Sequence, residues 1–204
     1  MLLNMLINAV FGNSIAYKAL RGLAGGNRAS KILVGDYIKC DKNTRILDLC
    51  CGTSDILPYL HFKDYTGVDS SNKHIKHNKK RFKKINNASF IAADVKKYLK
   101  ENKACFDTVL ILGGMHHIDD EALTELLNEI KEALPPEGKL VTIDGCYEPK
   151  IHWFAKLQLD YDRGHHVRTK EAWLELFFSV FPDYKYAIRK NLIYIPYNHI
   201  IFYK

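Results

Sequence analysis

Arg45-Ile46-Leu47-Asp48-Leu49-Cys50-Cys51-Gly52-Thr53-Ser54-Asp55 is the stretch that decides the fold of this chain. Its apolar first half predicts a buried strand, and Gly52 predicts a tight turn where that strand ends. Thr53 or Ser54 can cap a following helix, with Asp55 in the first helical turn, where a negative charge is favourable. A strand that leads through a glycine turn into a helix predicts an α/β fold with parallel strands.

The composition is that of an ordinary globular protein. The 204 residues are 47% hydrophobic and 26% charged, which supports a sizeable core and argues against disorder. The formal net charge of +7 raises nucleic acids and anionic surfaces as partners. The five cysteines are odd in number and form no CxxC pair, so we expect neither a disulfide framework nor a metal site.

The cellular location is inferred from the apolar segments. Residues 1–11 are apolar but short, and they lack the basic start and the small-residue cleavage site of a signal peptide. No apolar run reaches the roughly 20 residues that span a bilayer. We therefore expect a cytoplasmic protein without a transmembrane segment.

Short apolar runs alternate with helical patterns along the middle of the chain. Strands are predicted at residues 46–50, 65–68, 89–92, 108–112 and 140–143. This alternation indicates a parallel sheet with helices on both faces. Two closely spaced strand candidates near the end of the chain, residues 184–189 and 197–203, would pair most easily in an antiparallel manner.

We expect residues 1–204 to form one domain with three parts. Residues 1–40 have helical patterns and are interpreted either as a lid over a site or as helices that cover a sheet edge. Residues 45–145 form the cofactor-binding core, and residues 146–204 form a substrate-side insertion and the final strand pair. The oligomeric state stays open.

Glycines and carboxylates follow the ends of the predicted strands. They are Cys51-Gly52, Asp69, Asp94 and Gly113-Gly114. Ligands of open α/β sheets bind beyond the carboxyl ends of the strands, so these residues should converge in space. Asp69 can accept hydrogen bonds from both hydroxyls of a ribose, as in dinucleotide enzymes, or it can cap the following helix.

The first turn contains a single glycine, Gly52. A pyrophosphate site needs several glycines, because the backbone must close on the anion. The turn therefore disfavours NAD and FAD and favours a nucleoside that carries an amino acid. Asp48 is placed to orient the loop or to contact an ammonium group.

Residues 45–145 resemble the class I, Rossmann-like S-adenosylmethionine-dependent methyltransferases of the small-molecule type. Residues 48–54 are similar to the first motif of that family, commonly D-x-x-C-G-x-G, in which glycine is also usual at the second x. This chain has Cys50 at that position, and Ser54 replaces the last glycine of the motif. Four more segments match family motifs in order: Gly67-Val68-Asp69 at the ribose, Ala93-Asp94-Val95 at the adenine, residues 106–117 at the fourth strand, and residues 134–140 before the fifth.

The resemblance implies a doubly wound α/β fold, with a mostly parallel seven-stranded sheet whose last strand runs antiparallel. It also implies methyl transfer from S-adenosylmethionine, with S-adenosylhomocysteine as the product. The cofactor-binding residues that it implies are Asp48, Cys50, Cys51, Gly52, Asp69, Ser70, Asp94, Val95 and Gly113.

The acceptor is expected to be a small molecule that is methylated at a hydroxyl group. Such an acceptor benefits from a general base, most often histidine. His117 is the first candidate and His116 the second; alternatively both cap the next helix or line the pocket passively. The candidates for acceptor contact follow the fifth strand and are Tyr147, Tyr161, Arg163, His165, His166, Arg168 and Tyr197. Surface charge pairs are the alternative for the arginines, and core packing for the tyrosines.

Lysines crowd the helix that is predicted after the second strand. This helix should pack outside the sheet, away from the strand-end cleft, so a solvated face is the preferred interpretation and a nucleic-acid partner is not expected. Two other functions stay open. One is an RNA or protein methyltransferase that uses the basic helix. The other is a non-catalytic nucleoside-binding relative, since Cys50 and Ser54 depart from the motif.

Overall fold

The computed structural model describes residues 25–103, 105–162 and 164–204. Its helices are α1 (Gly26–Ile32), α2 (Asn72–Arg81), α3 (Val95–Glu101), α4 (Asp120–Ala133), α5 (Trp153–Asp160) and α6 (Lys170–Val180). A π-helical segment, Leu33–Ile38, continues α1, and single 3₁₀ turns lie at Leu57–Tyr59 and Met115–His117. The strands are β1 (Arg45–Leu49), β2 (Asp64–Asp69), β3 (Ala88–Ala92), β4 (Thr108–Leu112), β5 (Lys139–Tyr147), β6 (Arg168–Thr169), β7 (Lys185–Arg189) and β8 (His199–Tyr203).

The main sheet has the strand order β3-β2-β1-β4-β5-β8-β7. Strands β1 to β5 pair in parallel, whereas β8 runs antiparallel to both β5 and β7. The two-residue strand β6 pairs with the end of β5, off the main path. The doubly wound sheet with its antiparallel last strand is therefore confirmed. The strand order reverses between β1 and β4, which is where such sheets open a ligand crevice.

Two apolar clusters cover the two faces of the sheet. One contains Trp173 and Phe202, and Phe177 stacks on Phe202 with ring centroids 3.9 Å apart. The other contains Ile201 and Tyr65. Burial on both faces explains why the central strands read as continuous apolar runs. Within the described ranges, none of the helices combines the length and the apolarity needed to cross a bilayer.

Residues 25–38 cover one face of the sheet. Tyr37 is buried there, its ring meets that of Tyr203 edge-on at 5.0 Å between centroids, and its hydroxyl accepts a 2.8 Å hydrogen bond from Arg189. Ile38 is fully buried in the same cluster. Residues 1–24, the remainder of the expected N-terminal cover, lie outside the described residues.

The helix expected after β1 is not formed, so that prediction was wrong. The chain makes one 3₁₀ turn at Leu57–Tyr59 and reaches β2 through irregular backbone. Ser54, an expected cap, has a φ of 49°, which lies outside the helical region. Pro58 has no N–H for helix propagation, and Leu60 is already extended with a ψ of 146°.

Helix α2 supports the β1 turn from outside. The Nδ2 atom of the fully buried Asn78 donates to the carbonyl oxygen of Gly52 at 2.8 Å and to Oγ of Ser54 at 3.0 Å. Arg81 donates to the carbonyl oxygen of Thr53 at 2.9 Å and pairs with Asp55 at 2.5 Å. Side chains of a neighbouring helix therefore satisfy carbonyl groups that a helix after β1 would have ordered.

The packing of β1 on β4 leaves no space for a side chain at Gly114. A Cβ there would lie 2.8 Å from Cβ of Cys50 and 3.3 Å from Cγ2 of Ile111. We expect Gly114→Ala to lower the free energy of unfolding by about 1–3 kcal/mol through overpacking. Cys50→Gly removes the closest contact, so the double variant should lose at least about 1 kcal/mol less than the sum of the two single variants, as measured by urea denaturation.

The matched control is Gly35→Ala, because a Cβ at Gly35 meets no heavy atom within 4 Å. That variant should be close to neutral. Additivity of Gly114→Ala and Cys50→Gly to within about 0.5 kcal/mol would contradict the proposed contact.

Candidate active site

The turn after β1 keeps a glycine-like backbone although it contains one glycine. Cys50, Gly52 and Ser54 have φ values of 55°, 50° and 49°. For the two non-glycine residues the left-handed region costs roughly 1–2 kcal/mol each, which the contacts from α2 and β4 must offset. Cys50 and Ser54 thus adopt a glycine-like backbone conformation at the two positions where the family motif usually has glycine.

Two glycines leave the carboxyl ends of β1 and β4 open. A Cβ built on Gly52 or on Gly113 meets no heavy atom within 4 Å, and Gly113 also has a positive φ of 76°. The backbone at both strand ends therefore borders open space. Such a cradle allows close approach of a ligand to the main chain.

Asp69 at the end of β2 ties the two neighbouring strand ends together. Its Oδ2 accepts a hydrogen bond from the amide of Gly52, and its Oδ1 accepts one from the amide of Ser71, both at 2.8 Å. The cap of α2 is Ser71, not Asp69. Each carboxylate oxygen can accept more than one hydrogen bond, so acceptor capacity for ribose hydroxyls is left.

Asp48 is buried beneath the same turn, with 2% of its surface exposed. Burial raises the pKa of its carboxyl group to about 7, against the hydrogen bond from the Tyr65 hydroxyl, and the charge of Asp69 raises it further. The Tyr65 hydroxyl donates to Oδ2 at 2.5 Å, while Oδ1 has no partner among the described residues. This unpaired buried acceptor suits a donor or a cation.

The other residues expected at the cofactor follow the ends of β2 and β3. Asp94 is exposed and caps α3, where its Oδ1 accepts from the amide of Lys97 at 2.9 Å. Val95 is the first residue of that helix, and Ser70 is exposed directly after β2. Since β3, β2, β1 and β4 are adjacent, the structure brings the expected cofactor residues to one edge of the sheet. Their individual roles stay predictions.

The two adjacent cysteines are not activated thiols. Burial raises the pKa of Cys50 to about 12, and the nearby aspartates raise it further. Burial likewise raises the pKa of Cys51 well above its usual value. Both thiols therefore stay protonated at neutral pH and act as small packing groups.

His116 is clamped between two carboxylates. Its Nδ1 lies 2.5 Å from Oδ1 of Asp144, and its Nε2 lies 3.1 Å from Oδ1 of Asp162. Burial opposes protonation, but the hydrogen bonds to the two aspartates outweigh it and raise the pKa of His116 to about 10. The imidazole is therefore a cation at neutral pH, with both ring nitrogens engaged.

His117 has a different environment on the same 3₁₀ turn. It is exposed, and its ring centroid lies 4.1 Å from that of His116. Partial burial lowers the pKa of His117, and the positive charge of His116 lowers it further. His117 is therefore the histidine of the pair that is neutral at pH 7 and able to accept a proton.

Arg168 does not take the place expected from the sequence. It is 6% exposed, and its guanidinium donates to Asp120 Oδ1 at 2.7 Å and to the carbonyl oxygens of Ile118 and Met115 at 2.7 and 3.3 Å. The group also lies over the ring of Trp173, 4.6 Å from its centroid. Because these donors hold the chain after β4, Arg168 is not available to an acceptor in this arrangement. Strand β6 begins at Arg168, which the sequence pattern did not indicate.

The remaining residues expected at the acceptor lie around the end of β5. The hydroxyl of Tyr147 donates to Asp160 at 2.8 Å; burial and this hydrogen bond raise the pKa of Tyr147 to about 12. The hydroxyl of Tyr197 lies over Gly145, 2.6 Å from where a Cβ would stand.

Four of these residues are in the loop after α5, and one of the four lies outside the described residues. Tyr161 and His165 are exposed. The amide of His166 donates to the carbonyl oxygen of His116 at 3.0 Å. Arg163 lies outside the described residues, so its expected role is untested.

Sequence reasoning missed Asp144, Asp162 and His199 as residues of this site. Asp144 directly follows the apolar run of residues 140–143, as Asp69 follows that of residues 65–68, and this repeated pattern was a usable signal. No local pattern identified Asp162 as its counterpart across His116. His199 lies opposite Gly145 on β8; burial lowers its pKa to about 4, and its Nδ1 has no partner among the described residues.

Comparison with known proteins agrees with this geometry. Residues 46–138 match the family described as "Methyltransferase domain". A demethylmenaquinone methyltransferase from Leptospira interrogans is 34% identical over 119 residues, which are 54% of this chain and 47% of that protein. An uncharacterized RNA methyltransferase from Mycoplasma mobile is 33% identical over 100 residues, which are 48% of this chain and 27% of that protein. The chain thus spans less than half the length of these two relatives.

Solved structures share the fold at low sequence identity. The PH0226 protein from Pyrococcus horikoshii OT3 is 19% identical with a TM-score of 0.64, and the match covers 93% of this chain and 91% of that one. The DhpI-SAM-HEP complex is 13% identical with a TM-score of 0.63, and the match covers 96% of this chain and 90% of that one. The resemblance therefore extends over nearly the whole chain at the level of the fold.

The raised pKa of Asp48 can be tested without a ligand. Its folded-state pKa of about 7 lies above the ordinary value of 3.8, so the native state loses stability as pH rises from about 4 through 7. Asp48→Asn keeps an acceptor for Tyr65 but cannot ionise. The variant should therefore gain stability relative to the wild type between about pH 4.5 and pH 8, as measured by urea denaturation at both values.

Asp64→Asn is the matched control, since Asp64 is exposed at the opposite end of β2. It should follow the pH dependence of the wild type. If Asp48→Asn followed the wild type as well, Asp48 would not be a carboxyl group of raised pKa.

Three structural features agree with the family match. They are the strand order, the open turn after β1 and the carboxylates at the strand ends. Residues 46–138 therefore match the methyltransferase-domain family and lie on a doubly wound, Rossmann-like sheet.

Proposed function

We propose that this protein transfers the methyl group of S-adenosylmethionine to a hydroxyl group of a small molecule, with His117 as the general base. The observation that carries the proposal is the pairing of a clamped, charged His116 with an exposed, neutral His117 directly after β4. A hydroxyl acceptor needs a neutral base within reach of the reacting oxygen, and His117 has the required protonation state.

The cofactor fits the residues at the edge of the sheet. Asp69 would accept from the ribose hydroxyls and Asp94 from the adenine amine, while the open backbone at Gly52 and Gly113 allows close approach. The unpaired Oδ1 of Asp48 offers a buried acceptor beneath the turn. When bound, S-adenosylmethionine supplies a sulfonium methyl group that is open to in-line attack.

The chain itself contributes alignment and proton transfer. The turn that holds His117 is fixed, because the carboxylate of Asp144 accepts from the amide of Met115 at 2.9 Å and from the ring of His116 at 2.5 Å. A fixed base held beside the strand ends lowers the entropic cost of the reaction. The proton of the acceptor hydroxyl would pass to the imidazole of His117, which can then release it to solvent because the side chain is exposed.

A small acceptor is supported by the aromatic surroundings and by one relative. Tyr147, Tyr161 and Tyr197 lie on elements beside the end of β5, where an aromatic ring could be bound by stacking. The relative from Leptospira interrogans is named as a demethylmenaquinone methyltransferase, and that name suggests a quinone or its reduced quinol as the acceptor. Phenols and quinols are therefore the first acceptors to try.

An RNA acceptor is the second candidate, and a specific observation favours it. The lysines of α3 pair with glutamates of α4, as in Lys96–Glu125 at 2.5 Å and Lys100–Glu129 at 3.2 Å. The exposed lysines on and after α2 have no such acidic partner among the described residues; they are Lys73, Lys76, Lys79, Lys80, Lys83 and Lys84. The relative from Mycoplasma mobile is named as an RNA methyltransferase. Binding to RNA that weakens steeply with salt would favour this candidate.

His117→Ala tests the base. We expect it to slow methyl transfer by about 100-fold or more, a typical contribution of a general base, while the affinity for S-adenosylmethionine stays nearly unchanged. Methyl transfer is followed from the radiolabelled cofactor to a panel of phenols and quinols, with total RNA as the rival acceptor, and affinity is measured by calorimetry.

The matched control is His61→Ala, an exposed histidine before β2 that should retain most of the activity, and His165→Ala tests the histidine of the neighbouring loop. Full activity of His117→Ala together with an inactive His165→Ala would move the base to the loop.

Asp69→Ala tests the cofactor site. Loss of charge-assisted hydrogen bonds should weaken binding of S-adenosylmethionine and S-adenosylhomocysteine at least about tenfold. Asp64→Ala, at the other end of the same strand, should bind as the wild type does. Circular dichroism checks that both variants are folded; unchanged affinity in folded Asp69→Ala would contradict the ribose assignment.

A further inference from the structure

We propose that His116 is a positioning residue for the reaction: as an imidazolium held between Asp144 and Asp162, it anchors Asp162, Gly164 and His166 of the loop after α5 beside the site and keeps the adjacent His117 unprotonated. This inference rests on the proposed function, in which His117 is the base, and it gives the second histidine of the pair a distinct task.

The clamp geometry requires a charged ring. Asp144 faces Nδ1 and Asp162 faces Nε2, at 2.5 and 3.1 Å. A neutral imidazole has one N–H and would leave one carboxylate facing a lone pair, whereas the imidazolium donates to both. The side chain of Asp144 has no exposed surface, so its charge needs a buried counter-ion.

The clamp also excludes His116 from proton acceptance. With both nitrogens donating, the ring has no free lone pair for an acceptor proton. His116 is in addition only 12% exposed through its side chain, whereas His117 is exposed. The two neighbouring histidines therefore have separate tasks, one as a fixed cation and one as a base.

Contacts around the clamp join three parts of the chain. The carboxylate of Asp144 also accepts from the backbone amides of Met115 and Gly145, at 2.9 Å in each case, so that β5 holds the turn after β4. On the loop side, Asp162 accepts from the amide of Gly164 at 2.8 Å.

The loop backbone lies directly on the imidazole. A Cβ at Gly164 would lie 1.9 Å from Cδ2 of His116, a separation that no side chain allows. The amide of His166 donates to the carbonyl oxygen of His116 at 3.0 Å. His116 is thus the contact point between the turn that carries His117 and the loop expected to face the acceptor.

The charge of His116 acts directly on His117. Among the described residues, the titratable groups that face His117 are His116 on its own turn, Asp144 from β5, and Asp162 and His165 from the loop. The two histidines disfavour a proton on His117, and the two aspartates favour one. The net direction is a lowered pKa, with the His116 cation the largest contribution after burial.

The test measures the imidazole titrations by NMR and, in parallel, the pH dependence of methyl transfer to the best phenol or quinol acceptor. In the wild type, the His116 ring should stay protonated from about pH 5 to pH 8.5. In His116→Gln the neutral amide leaves two aspartates facing His117, so the pKa of His117 should rise by about one unit or more. A base acts above its pKa, so the acidic limb of the rate profile should move to higher pH, with about tenfold lower kcat/KM at pH 6 and nearly full activity at pH 9.

Asp162→Asn gives a second variant with the opposite sign. It removes a negative charge but leaves His116 paired with Asp144, so the pKa of His117 should fall and the acidic limb should move to lower pH. Its site is more exposed than that of Asp144, which favours correct folding. His61→Gln, an exposed histidine before β2, is the control and should change neither quantity.

Titration of the wild-type His116 ring near neutral pH would overturn the inference, and so would an unchanged His117 titration in both variants. These NMR results need no acceptor, so they stand whether or not methyl transfer is detected. Shifted His117 titrations with an unshifted rate profile would instead show that His117 is not the base, and would overturn the proposed function along with the task given to His116.

Discussion

Repulsion among carboxylates at the carboxyl edge of the sheet is the constraint on which this structure depends. Asp48 and Asp144 lie near the carboxyl ends of β1 and β5, Asp69 ends β2 and Asp94 follows β3. Asp94 is exposed, whereas the other three are buried and must be stabilised where water is largely excluded. The fold solves this differently in each case: with a tyrosine hydroxyl, with two backbone amides, with a helix N-terminus, and with a histidine cation. The carboxylates at β1 to β3 keep acceptor capacity for the proposed cofactor. The charge of Asp144 on β5 is instead neutralised by His116.

This division explains how adjacent side chains come to differ. Asp144 is fully buried and draws a proton onto His116, and the resulting cation repels a proton from His117. The two carboxylates that clamp His116 therefore raise its pKa, and the resulting positive charge lowers the pKa of the neighbouring His117. Arg168 completes the arrangement by holding the carbonyl groups of the same turn, rather than by reaching outward.

The five parallel strands and the carboxylates near their ends could be predicted from the sequence, because a strand buried on both faces leaves a continuous apolar run and a strand-end carboxylate follows it directly. The helix after β1 could not be predicted correctly, since its absence depends on a left-handed Ser54 that Asn78 holds from another element. The clamp on His116 was also beyond local pattern, because Asp144 lies 28 residues away in the chain. Contacts of this kind are set by topology and not by periodicity.

The support of the β1 turn by Asn78 has a consequence for how this chain can vary. A glycine adopts the left-handed conformation of such a turn without support from other side chains. Here the side-chain amide of Asn78 donates to the hydroxyl of Ser54 and to the carbonyl oxygen of Gly52. Replacing either side chain alone would therefore remove a hydrogen bond that supports the turn after β1. A substitution at position 54 or at position 78 is therefore expected to disturb the left-handed turn beside Gly52 in the same way.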